Sequence, residues 1–322
     1  PKKIRASHQA AFPVLLKPCR DPAEQNRYLT AQLRDYHAQG YAYEQMAILF
    51  RTNLGIRFVM DALMKGGIPF HMKDAIPNLF AHWISLDIIA YLRLVSGTGN
   101  TRANWLRIMN RPNRYIKREA LAPFTSDISV AQLKAYYQDK DWMLERLDRL
   151  EYDLSIMKRM SPYAAIHYLS NAMKYQDYLK DYAKEHHINE QELLDVLNAV
   201  HESSQSCRTF AEWFAYIDTY TEELQKQAKS PASKDANNES GVCLCTLHCA
   251  KGLEYPIVFI PDINEDNIPH ARAAVDADLE EERRLFYVGI TRAKEHLHLY
   301  CVGEASGKEK FPSRFLEELN EM

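Results

Sequence analysis

The sequence predicts an α/β protein: a doubly wound parallel sheet, discontinuous along the chain, with an all-helical domain inserted into it. Three observations lead there. Apolar runs too continuous for an exposed sheet edge, Ala47-Ile48-Leu49-Phe50 and Pro256-Ile257-Val258-Phe259-Ile260, stand far apart in the chain, and such runs belong to strands buried on both faces. Helical segments follow them, which is the connection parallel strands need. Between them, from about Gly99 to Ser230, strand-and-helix alternation gives way to long helical segments rich in Tyr and Trp. The expected division is a sheet domain over 1–98 and 231–322 with a helical domain over 99–230. A chain of 322 residues is too long for one compact core, so its length also suits two domains.

The first elements lie in Ala47 to Phe70, AILFRTNLGIRFVMDALMKGGIPF. A buried strand ends at Phe50-Arg51, a helix begins at Thr52 or Asn53, either of which can cap it, and Gly66-Gly67 turns the chain into another strand. Phe50 and Arg51 thus stand at the carboxyl end of the strand, where open α/β sheets bind ligands. An arginine beside an aromatic suits a phosphate and a base. The plainer alternative is an arginine snorkelling over a core phenylalanine.

In the helical region, Ala131 to Met160 and Pro162 to Lys184 read as long helices whose aromatics serve packing. A basic stretch, Arg102, Arg107, Arg111, Arg114, Lys117 and Arg118, is interleaved with Trp105 and Tyr115. That mixture suits nucleic acid, and equally a helix pair neutralised by acidic neighbours. Lys229 to Gly241, KSPASKDANNESG, reads as a linker returning the chain to the sheet.

Val242 to Cys245 then starts a strand, and Thr246 to Ile260, TLHCAKGLEYPIVFI, is a polar loop leading into a second buried strand. The loop gathers His248, Lys251, Gly252 and Glu254, and Gly252 allows close backbone approach to a ligand. Cys243, Cys245 and Cys249 lie near His248, but not at the spacing of paired zinc knuckles. Two of them sit on the strand, where a free cysteine behaves as a small apolar residue.

The last block is Glu280 to Leu297, EEERRLFYVGITRAKEHL. It reads as a helix with an acidic first turn, Glu280 to Glu282, at the positive end of its dipole, followed by a short strand. Leu285, Phe286, Val288 and Ile290 give the helix a face to bury, which leaves Arg283, Arg284 and Arg292. Arginine is suited to meeting phosphate charge; pairing with the helix's own glutamates is the alternative. His296 and His298 share a face of the strand and read as packed or surface histidines.

In order and spacing, these three blocks resemble motifs IV, V and VI of superfamily 1 DNA helicases of the UvrD/PcrA/Rep type. The resemblance extends to YLRLV at Tyr91 to Val95, to RIMNRPNRYI at Arg107 to Ile116, and to Asn267-Ile268-Pro269-His270. It is weakest between about Glu119 and Thr209. The Gly-rich loop ending in Gly-Lys-Ser/Thr that such motors need is missing, since the only Gly-Lys pair is Gly307-Lys308, followed by Glu309, and no Asp-Glu dipeptide occurs. The chain therefore resembles the second motor half without the first, and its initial Pro1 suggests a piece of something longer.

The resemblance implies a RecA-like domain of P-loop NTPase type carrying an inserted helical domain. ATP and Mg2+ would be bound mainly by an absent N-terminal motor domain, with this chain forming one wall of the cleft. Arg51 and Arg292 would be arginine fingers on the γ-phosphate; Phe50 would stack on adenine, Glu254 bind the ribose, and Gly252 and Arg284 lie at the nucleotide. Thr246, His248, Lys251, Arg111 and Arg114 would meet DNA. The implied activity is ATP-driven movement from 3′ to 5′ on single-stranded DNA and at its junctions with duplex, in the bacterial cytoplasm at the nucleoid. Repair or replication proteins are the implied further partners. One departure is Tyr115-Ile116-Lys117, where relatives commonly carry Gly-Ile-Gly; without glycines, close approach to duplex phosphates is disfavoured.

Composition is consistent with this. With 46% hydrophobic and 26% charged residues, the chain suits an intracellular globular protein, with no apolar run long enough to span a bilayer and no secretory leader at Pro1. A net charge of −3 argues against binding nucleic acid through bulk positive field, so any DNA contact must be local. The alternative function is a non-catalytic, helicase-like module that binds DNA or a partner. A helicase-nuclease relative finds no carboxylate-Lys cluster in its support.

Overall fold

The computed structural model describes residues 12–73, 77–229, 240–271, 273, 275–305 and 307–320. The chain forms two compact units, one from residues 1–76 and 224–322 and the other from residues 77–223. Most of the segment expected as a linker, 230–239, lies outside the described residues.

The first unit contains a six-stranded parallel sheet. It opens with β1 (Leu15–Cys19), α1 (Pro22–Ala38), β2 (Met46–Phe50), α2 (Asn53–Gly66) and β3 (Phe70–Met72). The helical unit follows with α3 (Trp83–Ser96), α4 (Arg102–Ile108), α5 (Val130–Tyr136), α6 (Asp141–Met157), α7 (Pro162–Asn171), α8 (Tyr175–His186) and α9 (Glu190–Ser203). The boundary at 223/224 falls within α10 (Phe210–Lys229). The sheet resumes with β4 (Val242–Thr246) and β5 (Tyr255–Ile260), and then α11 (Asp276–Ile290), β6 (Ala293–Val302) and α12 (Arg314–Asn320) complete the unit.

Strand order is β1-β6-β5-β2-β4-β3, and every neighbouring pair is parallel. The two apolar runs, β2 and β5, lie side by side in the middle, with Ile48 opposite Phe259. That position explains their unbroken hydrophobicity, because both faces are covered. On one face Ala47, Leu49, Cys243, Cys245, Val258 and Ile260 form a core with Leu285 and Phe286 of α11 and with Phe315 and Leu316 of α12. On the other, α1 packs on β6 and α2 on β2 and β4. Strand alternation therefore sends Phe50 and its neighbour Arg51 to opposite faces.

Three local expectations are corrected. Helix α11 begins at Asp276 rather than Glu280, which places Glu282 in its second turn and buries it. The stretch Ala131 to Met160 is two helices, α5 and α6. They part next to Tyr137, a buried residue whose hydroxyl accepts the Lys117 N–H at 2.7 Å. Pro162 to Lys184 likewise divides into α7 and α8 at Lys174, whose φ of 61° is left-handed. Neither break carries Gly or Pro, so no local breaker marks it.

Candidate nucleotide and nucleic-acid site

The structure sorts the candidate residues of the sheet unit into three groups. The first lies where β2 ends. Phe50 is 2% exposed, and its ring lies against α2, where a Cβ added at Gly55 would stand 3.3 Å away. It is a core residue here and offers no open ring face. Arg51, on the opposite side, meets Glu282 of α11 through Nε to Oε2 at 2.9 Å and Nη2 to Oε1 at 2.6 Å. The same carboxylate accepts the backbone N–H of His270 at 3.0 Å. Burial raises the Glu282 pKa, but the Arg51 guanidinium and the His270 N–H outweigh it and hold the group below the ordinary carboxylate value. Asp262, just past β5 in left-handed backbone, exchanges hydrogen bonds with Gln25 of α1 at 2.8 and 3.0 Å.

The second group is the turn after β4. His248, Lys251 and Gly252 are exposed and Thr246 is half-buried. Gly252 has φ of 87° with open space where a Cβ would stand, a conformation that L side chains rarely take. The turn is anchored beneath this surface by the Leu247 N–H, which donates to the Phe50 carbonyl at 2.8 Å, so β2 and the turn are positioned together.

The third group gathers where β5 and β6 begin. Arg292 donates Nε to the Val288 carbonyl at 2.9 Å, Nη1 to the Leu253 carbonyl at 3.0 Å and Nη2 to the Thr291 hydroxyl at 2.9 Å. All three acceptors are neutral. Glu254, exposed beside it, pairs with Lys294 at 3.4 Å. Arg51 and Arg292 are not brought into contact: the pairing carboxylate of Glu282 and Arg292 lie ten residues apart along α11 and its end, about 15 Å of helix.

The other arginines of the block are structural or solvated. Arg284 is 75% exposed in its side chain and pairs with Glu281 one turn earlier. Arg283 bonds Glu280 and Glu318 and lies over the Phe315 ring, which ties α11 to α12.

In the helical unit, Arg111 and Arg114 turn inward. Arg111 grips Asp87 at 2.8 and 3.0 Å. Arg107 and the Tyr175 hydroxyl complete the shell of this fully buried carboxylate, at 3.0 and 2.9 Å. Burial lifts the Asp87 pKa against the pull of these three donors. Arg114 donates to the carbonyls of Ile108 and Pro112. Tyr115 takes the left-handed φ of 60°, so the backbone keeps a shape suited to glycine while the side chain stands 60% exposed. No group of three or more His, Cys, Asp or Glu is placed to hold a metal ion among the described residues.

Sequence reasoning passed over Glu282 and Asp87. Glu282 gave no signal, since it stands within three consecutive glutamates. Asp87 did, as the one charge in Ile84-Ser85-Leu86-Asp87-Ile88-Ile89-Ala90; a lone acid in an apolar helix needs buried partners.

The chain has relatives among known proteins. The chain is 29% identical over 319 residues to a protein of Bacillus subtilis strain 168 named "Putative ATP-dependent DNA helicase YjcD", covering 95% of this chain and 40% of that protein. It is 28% identical over 327 residues to the ATP-dependent DNA helicase PcrA of Staphylococcus epidermidis, covering 94% of this chain and 43% of PcrA. PcrA of Staphylococcus aureus is similar to the same extent. The chain thus spans well under half the length of these relatives. The profile of the UvrD-like helicase C-terminal domain matches residues 2–303, and this chain belongs to that family.

Proposed function

We propose that this chain is the C-terminal motor half of an ATP-dependent DNA helicase that moves 3′ to 5′ on single-stranded DNA and at junctions with duplex. Its ATP site is completed by an N-terminal P-loop domain, which binds most of the triphosphate and Mg2+; the metal there supplies neutralisation of phosphate charge. Repair or replication proteins are its further partners.

The observation that carries this reading is Arg292. Its guanidinium is oriented by three neutral acceptors and has no carboxylate partner among the described residues. A cation held in place without a counter-ion suits charge that develops in a transition state. Glu254, close by and exposed, serves the ribose, and the turn of Thr246, His248, Lys251 and Gly252 serves single-stranded DNA. Arg111 and Arg114, spent on internal acceptors, contribute to DNA binding through the shape of their loop. Phe50 reaches an adenine ring only if α2 yields.

The test uses the natural protein with the residues that precede Pro1. Arg292→Ala lowers single-stranded-DNA-stimulated ATP turnover by roughly 10³-fold, the scale of an arginine finger, with nucleotide binding little changed. Unaltered turnover removes Arg292 from the site. If the longer protein itself hydrolyses no ATP on DNA, a DNA- or partner-binding module becomes the better account.

A further inference from the structure

We propose that Glu282 is the resting counter-ion of Arg51, a positioning residue that withholds this arginine until a polyanionic phosphate displaces the carboxylate. This rests on the function proposed above and deepens it. The two arginines of the site are prepared in opposite ways. Arg292 is propped by neutral acceptors, whereas Arg51 is clasped by a carboxylate through both Nε and Nη2, with a third contact from Nε to Oε1 at 3.2 Å. Such fork-to-carboxylate pairs are the strongest class of charge-assisted hydrogen bond.

The clasp is nearly dry on both sides, with side-chain exposures of 17% for Arg51 and 11% for Glu282, so solvent screens it little. Nη1 of Arg51 makes no bond with any described group. An incoming anion can therefore meet one edge of the guanidinium while the carboxylate still holds the other. A terminal phosphate carries more charge than one carboxylate and matches the same fork, so it competes where a singly charged anion does not.

Release of Arg51 leaves Glu282 in place with the His270 N–H. A carboxylate stripped of its cation in that setting is destabilised, which sets a threshold for the exchange. Because Glu282 holds both Arg51 and the His270 backbone, the exchange also alters what anchors the Asn267–His270 segment. The geometry points to a threshold met only by a nucleotide that carries a γ-phosphate, so the clasp tempers the affinity for triphosphate relative to diphosphate while it keeps Arg51 neutralised at rest.

The experiment compares steady-state ATP hydrolysis by the longer natural protein carrying Glu282→Gln, Arg51→Gln, or both. Glutamine keeps an acceptor for the His270 N–H and removes the charge. Expected for Glu282→Gln is a KM for ATP about tenfold lower, a stronger dependence of KM on salt because no carboxylate offsets the cation, and an increased preference for ATP over ADP in competition. In the double variant these changes vanish, because no Arg51 remains to release. A fall in kcat with KM unchanged marks Glu282 as a structural support and overturns the proposal, as does a KM change that persists in the Arg51→Gln background. Should Glu282→Gln unfold the protein, Glu282→Asp, which shortens the reach but keeps the charge, must leave KM and ATP preference closer to the parent than to an unclasped arginine; the opposite result overturns it. If Arg51→Gln and Arg292→Ala both leave turnover intact, the motor reading has failed; if they abolish it and Glu282→Gln is neutral, only the clasp has.

Discussion

Acidification should loosen the sheet unit through one histidine. His298 of β6 is 3% exposed, its Nε2 lies 2.8 Å from the Tyr36 hydroxyl of α1, and its ring stacks on Phe259 at 4.7 Å between centroids. Burial, helped by the nearby His296, pushes its pKa down to about 4. An unfolded histidine titrates near pH 6.5. The folded value is the lower one, so the unfolded state binds the proton first. Stability from the neutral ring is complete above about pH 6.5 and is lost as pH falls toward 4. With those two values the loss between pH 7 and pH 5 comes to about 2 kcal/mol. Other groups titrate in the same window, including the half-buried His296, so the decisive quantity is a difference. His298→Gln retains an acceptor for Tyr36 and takes no proton. Since two units need not unfold together, the measurement is the urea midpoint of the β6 segment followed by hydrogen-exchange mass spectrometry at both pH values. The parent should lose about 2 kcal/mol more than the variant. Equal losses would refute the assignment of a buried, neutral His298.

Two further substitutions test packing. Gly289→Ala in α11 would set a Cβ 2.4 Å from Leu247 Cδ2; the overpacking cost of about 1–3 kcal/mol exceeds the gain of up to about 1 kcal/mol from replacing a helical glycine. Net destabilisation by thermal or urea melting is expected, and a stabilised variant would show that the turn after β4 yields freely. Asp87→Ala in α3 should destabilise the helical unit by about 2–4 kcal/mol, because the Tyr175 hydroxyl loses its buried acceptor and two arginines lose their carboxylate. A loss below about 1 kcal/mol in exchange at α3 and α8 would mean that water replaces Asp87.

The parts of the fold that were legible are those with local signals. MAILF and YPIVFI read as buried strands because a central parallel strand is apolar throughout, and they became β2 and β5. The Gly66-Gly67 turn was visible because the position after a helix end favours a left-handed glycine, and Gly67 takes φ of 63°. The division of two long helical stretches was not visible, since Lys174 and Lys140 lack any local breaker. Among the site residues, the arginines were conspicuous as residue types. Their partners were not: Arg51 and Glu282 are 231 residues apart, and nothing distinguishes Glu282 from the glutamates beside it.

By itself, the sequence determined which residues bring charge to this protein and which segments can be buried, because composition and periodicity act within a few residues. It placed Arg51 at a strand end, Arg292 after a helix and Gly252 in a polar turn. Only the tertiary structure decided what each charge is used for. Parallel crossovers bring α11 across the face of β2, so Arg51 is clasped by Glu282, while the chain reversal at Thr291 gives Arg292 carbonyl oxygens instead. The same packing turns Arg111 from an exposed cation into the partner of a buried acid. A guanidinium's chemistry is fixed by its residue type, but its availability is set by what lies within about 3 Å of it, and that depends on contacts between distant parts of the chain.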